Sequence, residues 1–329
     1  MKKAILVVIS VISVILIAVC ATVWFFLTHR PSASAYKLSS FSLEHDTDNI
    51  FSSKISDHLL VRIDGEIREY RPNGRYSTLD INAKIKSAYP GKRTMTAWYI
   101  DTNNCLYYFE AIKETLVLED VKSFSVGSGG YAAVLNDGDI FFGDSKSEKP
   151  LCVGNVPNAE KITLGYEFGH NYALVLDAEK QVYECMFPDN ENSPVDLRKI
   201  DELRSVEDIY TGYGNITVTK SGKVRFWLDS FDSGRKSPYM DSPSDIERRC
   251  NELDLIKFSL TPAFCVGCSK KGEVYFWGED FFRKSNDKSD RFVVSPERIL
   301  SITDADDVFA GAYAIYIKSG TTFTAIDSV

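Results

Sequence analysis

The stretch AAVLNDGDIFFG, residues Ala132–Gly143, decides the fold. A short apolar run enters a two-residue turn, Asp137-Gly138, and a second apolar run leaves it and ends on aromatic rings. Glycine at the second turn position supplies the positive φ that a tight antiparallel hairpin needs. Six further stretches share the pattern: LLVRIDGEIREY (Leu59–Tyr70), WYIDTNNCLYYF (Trp98–Phe109), ALVLDAEKQVYEC (Ala173–Cys185), ITVTKSGKVRFW (Ile216–Trp227), VGCSKKGEVYFW (Val266–Trp277) and AIYIKSGTTFTAI (Ala314–Ile326). Their second turn residues, Gly65, Asn104, Gly138, Lys180, Gly222, Gly272 and Gly320, lie 39, 34, 42, 42, 50 and 48 residues apart. The mean of about 43 falls within the period of propeller repeats.

Register carries the same message. Four residues before each marker stand Val61, Ile100, Val134, Leu176, Val218, Cys268 and Tyr316; all but one of the residues two after it are aliphatic as well. A hairpin with one apolar face cannot bury that face alone, so the copies must stack on one another as a ring or solenoid. Ahead of the hairpins a third strand recurs, usually closed by glycine, as in Val121–Gly127, Ile209–Gly212 and Val308–Gly311. Pro150, Pro194, Pro243 and Pro296 stand 15 to 18 residues before the end of that strand. Proline there starts an edge strand or leaves a loop. Pro194–Ile200 and Pro296–Ile302 read as fourth strands.

The combined pattern, with Ile256–Gly278 and Val121–Gly143 as its best copies, resembles the repeat of the regulator of chromosome condensation family over roughly residues 41–329. The resemblance implies an all-β, seven-bladed β-propeller of four-stranded blades. Members of that family include an exchange factor for a nuclear GTPase and a secreted bacterial inhibitor of β-lactamases, so the fold alone fixes no activity. A tryptophan-aspartate repeat propeller is the nearest structural rival, but no copy carries that Trp-Asp pair. The segment Lys37–Leu43 either begins the first blade or completes the last.

Residues 1–30 stand apart. Lys2 and Lys3 precede an uncharged apolar run, Ala4–Leu27, that ends at His29 and Arg30. Its 24 residues make about 36 Å of helix, enough for a hydrocarbon core of about 30 Å. The flanking charges predict a single-pass membrane anchor with a cytoplasmic N-terminus, a linker over residues 31–40, and an extracytoplasmic domain over 41–329. Cleavage near Ala33-Ser34-Ala35, giving a secreted protein, is the alternative; lipidation of Cys20 is disfavoured by the large Val19 before it. Beyond the anchor 35 basic residues face 46 acidic ones, a formal charge of −11. That balance argues against nucleic acid as a partner, whose binding rests on Lys and Arg neutralising phosphates. Six cysteines remain in that part, scattered singly, and most read as small buried apolar residues.

Motifs for chemistry are scarce. The four histidines, His29, His45, His58 and His170, show no ligand spacing. Cys265 and Cys268, three apart on a strand, point to opposite faces and suit neither a disulfide nor a shared metal. Glu44–Asp48 and Asp304–Asp307 read as solvated acidic loops, and no cofactor fingerprint occurs. Asn215-Ile-Thr217 has the form of a glycosylation acceptor, but it reads as strand. The loops that follow the third strands carry Tyr131, Tyr166, Phe168, His170, Tyr213, Phe264 and Tyr313 at corresponding places. Stacked blades would bring these to one face, and aromatic rings are efficient interface anchors, although several could instead fill the space between blades. The sequence therefore predicts a non-catalytic propeller that binds a protein partner, without a cofactor or metal. A propeller that binds or cleaves envelope carbohydrate is the alternative, and it requires carboxylates gathered at the channel mouth.

Overall fold

The computed structural model describes residues 36–44, 47, 49–127, 130–143, 149–167, 170–187, 196–219, 221–227, 241–282, 292–299 and 301–328, with the side chains of 166, 167, 170 and 227 excepted. The apolar run Ala4–Leu27 lies outside them. No helix among the described residues is long and apolar enough to cross a membrane.

Seven antiparallel sheets follow one another along the chain. Blade one holds Ile50–Phe51, Leu59–Ile63, Glu66–Tyr70 and Tyr76–Leu79. Blade two holds Ile85–Pro90, Thr96–Asp101, Leu106–Glu110 and Lys113–Leu118, and blade three Val121–Gly127, Gly130–Leu135, Asp139–Gly143 and Leu151–Asn155. Blade four is Ala159–Glu167, His170–Asp177, Val182–Met186 and Asp196–Lys199; blade five is Val206–Gly212, Gly214–Thr219 and Val224–Trp227. Blade six is Leu255–Leu260, Phe264–Ser269, Val274–Glu279 and Phe292–Arg298, and blade seven contributes Asp307–Ala310, Ala314–Ser319 and Thr322–Asp327.

The ring closes by the N-terminal segment. Lys37–Ser42 pairs antiparallel with Thr322–Asp327, from Lys37 opposite Asp327 to Ser42 opposite Thr322, and so completes blade seven from outside. Phe41 stacks on Phe323 of the same blade at 5.2 Å and on Tyr70 of blade one at 5.3 Å. The propeller thus begins before residue 41, inside the stretch expected to be a linker.

All seven expected hairpins are present, as the second and third strands of each blade. All seven marker residues have positive φ, including Asn104 at 67° and Lys180 at 63°. Side-chain acceptors make those non-glycine turns tolerable: Asp101 takes the backbone N–H groups of Asn103 and Cys105 at 2.9 and 2.8 Å, and Asp177 takes that of Gln181 at 2.8 Å.

Second strands are buried on both faces, completely so in Thr96–Asp101 and Phe264–Ser269. Each lies between two neighbouring blades, which is why Cys265 and Cys268 can point opposite ways and still both be interior. All cysteines among the described residues are free. Burial pushes the thiols of Cys185 and Cys250 up to about 12 and that of Cys268 to about 11, so they stay protonated and inert. Asn215 and Thr217 are both fully buried in blade five, where Asn215 Oδ1 accepts from Tyr172 Oη at 2.7 Å, so a glycan could not be added to the folded chain.

One expected strand is replaced. Pro243 does not open an edge strand; it opens the helix Pro243–Glu252, capped by Ser242, whose Oγ accepts from Asp245 N at 3.2 Å. The helix lies along the outer edge of Val224–Trp227. Asn251 imitates a strand there, accepting from Val224 N and donating to Val224 O, both at 2.9 Å, while Glu247 accepts from Phe226 N at 3.3 Å. Two side chains one helical turn apart thereby satisfy backbone groups that a fourth strand satisfies in the other blades.

Candidate functional site

First strands line the central channel, each in its own sheet with no backbone ladder to the next blade. Hydroxyl groups bridge the gap. Ser53 Oγ donates to Pro90 O at 2.7 Å, Thr211 Oγ1 to Leu164 O at 2.7 Å, and Ser259 Oγ accepts from Ala310 N at 2.8 Å. These hydroxyls, Thr211 and Ser259 near the ends of their strands and Ser53 on the loop beyond its strand, give the channel wall polar inter-blade links.

At the end where first strands begin, the channel widens to a cavity of about 540 Å³. Two carboxylates line it, Asp208 and Asp307. Each is held by a lysine of the preceding blade: Lys161 with Asp208, and Lys257 with Asp307 at 3.2 Å. Tyr210 Oη donates to Asp208 Oδ2 at 2.7 Å, and the Lys161 ammonium lies 5.0 Å over the Tyr210 ring. Burial and the nearby carboxylate push the Tyr210 phenol well up. This mouth is a pair of inter-blade ion pairs, whereas glycoside hydrolysis uses one protonated carboxylic acid and one carboxylate flanking the scissile bond.

Strand alternation sends the loops between first and second strands, and between third and fourth strands, to the opposite face. Here Tyr313 is 50% exposed, its ring 5.4 Å from that of half-buried Phe281 in an edge-to-face contact. The loop that carries Tyr313 is tied to blade one: Ala312 N donates to Ser56 O at 3.0 Å, Tyr313 N to Asp57 Oδ1, and Tyr316 Oη to Asp57 O. Burial raises the pKa of the Asp57 carboxyl, against the opposing pull of the Tyr313 N–H. Beside Asp57, His58 Nδ1 sits 3.1 Å from the buried Glu69, which also accepts from Met95 N at 3.0 Å and so pins blade two. Tyr213 is half-buried on the same face; its N–H donates to Thr261 O at 2.6 Å, and its carbonyl accepts from the Cys265 thiol at 3.3 Å. Ile112, at a turn between third and fourth strands on this face, is 87% exposed.

The expected aromatic set divides accordingly. Tyr313 and Tyr213 reach the loop face. Tyr131 and Phe264 do not: Tyr131 is 1% exposed with its ring 5.0 Å from Trp98 of blade two, and Phe264 is fully buried against Phe276 and Phe282. Tyr131 and Tyr313 both stand seven residues before their markers, but Tyr131 lies within the second strand of its blade, Gly130–Leu135, whereas Tyr313 precedes its second strand, Ala314–Ser319, and stays on the loop. Tyr166 and His170 take backbone pairing positions, opposite Asn171 and Glu167, and their side chains, with all of Phe168, lie outside the described residues. Sequence reasoning missed Phe281 and Ile112, which lie outside the hairpin pattern, and Lys54, which enters the channel from a loop.

No protein-family model and no curated protein matches this chain. Solved structures do. It is similar to human WBSCR16, with a TM-score of 0.55 and 12% identity over 86% of this chain and 88% of that one. It is similar to YCF48 bound to D1 peptide, with a TM-score of 0.53 and 9% identity over 89% and 97%. A chain in the complex of Kap60 with yeast RCC1 (Prp20) gives a TM-score of 0.56 and 10% identity over 83% and 79%. At such identities the likeness shows the fold, a seven-bladed propeller.

Proposed function

We propose that this chain is a protein-binding scaffold that presents the Tyr313 face of its propeller to a polypeptide partner. The observation that carries this reading is exposed Tyr313, packed edge-to-face on half-buried Phe281 and carried on a loop fixed to blade one by hydrogen bonds from its backbone N–H groups. An aromatic anchor on a rigid support loses little entropy on binding, which is what separates an interface residue from a mobile surface ring. Two propellers of the same architecture are recorded with polypeptides, YCF48 with a D1 peptide and RCC1 with Kap60, and they support the same use here. Membership of the regulator of chromosome condensation family fits the repeat and belongs to the same proposal. The expected test result is that Tyr313→Ala with Phe281→Ala abolishes capture of a crosslinked partner while the melting temperature stays within a few degrees. Unchanged capture by the folded double variant would remove the face from the account.

Membrane tethering by Ala4–Leu27 is part of the proposal, resting on the length and flanking charges of that run. Alkaline carbonate washing should leave the full chain in the membrane pellet; release into the supernatant would contradict it.

A further inference from the structure

Beyond the wide mouth the channel narrows to a cavity of about 180 Å³. Lys54, on the loop between the first two strands of blade one, crosses this lumen and donates through Nζ to Leu164 O of blade four and Thr211 Oγ1 of blade five. Ser125, Thr163 and Ser259 contribute hydroxyls to the wall, and no carboxylate lines it among the described residues. Ser125 is only 4% exposed and its hydroxyl has no protein partner among those residues. Ser259 Oγ accepts from Ala310 N, which leaves its own proton free to donate. The second lysine in the wall, Lys161, is already neutralised by Asp208.

A buried amine, spare hydroxyl donors and no counter-ion make a site for negative charge, since a desolvated cation is costly until it is paired. Among the described residues of this wall only the Lys54 ammonium lacks a carboxylate, so the ligand that matches is a monoanion; a dianion would bring uncompensated charge into the channel. We propose that the narrow channel binds a small organic carboxylate, with Lys54 as its counter-ion and Ser125 and Ser259 as hydrogen-bond donors. Lys54 shares the blade-one loop with Ser56 and Asp57, which hold the Tyr313 loop, but carboxylate binding in the channel does not rest on a partner bound at that face.

Binding should be coupled to a proton. Burial lowers the Lys54 amine to about 7, with Lys161 adding to the fall and Cys265 opposing it. A carboxylate beside the amine raises that value again. Three groups around it stay uncharged between pH 6 and 9: the Tyr89 phenol is pushed up to about 12, Tyr210 lies well above its usual range, and so does the Cys265 thiol; the Lys161–Asp208 ion pair completes the surroundings. Acetate binding therefore takes up a proton at pH 8.5, where the free amine is mostly neutral, and takes up little at pH 6.

Calorimetry of acetate binding to the full chain, in two buffers of different ionisation enthalpy, reads this directly. The expected result is saturable binding with proton uptake approaching one per acetate at pH 8.5, falling towards zero at pH 6. Lys54→Met should abolish both; should that variant not fold, Ser125→Ala with Ser259→Ala should weaken acetate about tenfold. No saturable binding, binding without proton uptake at pH 8.5, or affinity unchanged in the folded variants would each overturn the proposal.

Discussion

Replacing Lys37–Ser42 by six alternating glycine and serine residues is expected to abolish cooperative folding of the ring. Propellers leave only short, protected sheet edges, and here the outer side of Thr322–Asp327 in blade seven is covered by a strand that arrives from the other end of the chain, with Lys37 paired to Asp327 at 2.7 Å. The replacement removes that ladder, the Phe41 rings stack and the burial of Leu43 that follows it. Phe41→Ala alone should cost about 3 kcal/mol, the usual toll for truncating a packed aromatic. Losing the whole strand adds the exposure of Phe323 and Ala325, both fully buried, and exceeds about 5 kcal/mol, the lower end of domain stability. Denaturant unfolding followed by tryptophan fluorescence checks both. A glycine-serine variant that still melts in one transition within a few degrees of wild type would mean that the ring does not depend on this closure.

Gly278→Ala is the second large effect. Gly278 stands one residue before the end of the third strand of blade six with φ of +112°, a region nearly closed to residues with a Cβ. An added Cβ would lie 2.6 Å from both Ala263 O and Phe264 Cα. Both are backbone atoms in the ladder, so neither can rotate away, and the strand must shift where Phe264, Phe276 and Phe282 pack together. The expected loss is about 3 kcal/mol or more, made of backbone strain and overpacking. Gly65→Ala is a control: φ is +88° there, but the added methyl meets nothing within 4 Å, so only conformational strain of about 1 kcal/mol should appear. Similar melting temperatures for the two variants would contradict the packing account.

The hairpins were legible because a two-residue turn between alternating strands is a local signal, written wholly within about twelve residues. Even the strained turns at Asn104 and Lys180 fell in the expected register, although neither carries glycine. Ring closure was not legible: Lys37–Leu43 is as apolar and alternating as a strand on either side of the seam, and only long-range packing of Phe41 decides between them. The helix at Pro243 was misread because proline suits both the start of an edge strand and the first turn of a helix. Ser242, with Asp245 three residues on, was the available signal for the helix. Of the residues expected on these loops, Tyr213 and Tyr313 lie there, whereas Tyr131 and Phe264 fall in the second strands Gly130–Leu135 and Phe264–Ser269, where Trp98, and Phe276 with Phe282, cover them. Thr211 and Ser259 could have been found by aligning the third-strand motif, in which each stands just before the last residue; Ser53 lies beyond the short first strand of blade one, where no copy of that motif was read.

Site-directed photo-crosslinking measures the central claim most directly. A benzophenone amino acid placed at residue 313 on the loop face, and in parallel at residue 76 on the outer rim where Tyr76 is 51% exposed, samples two surfaces of equal accessibility on one folded ring. The account predicts that the 313 probe joins one partner protein reproducibly and that the 76 probe does not. Equal yields from both positions, or a partner joined from the rim alone, would contradict it.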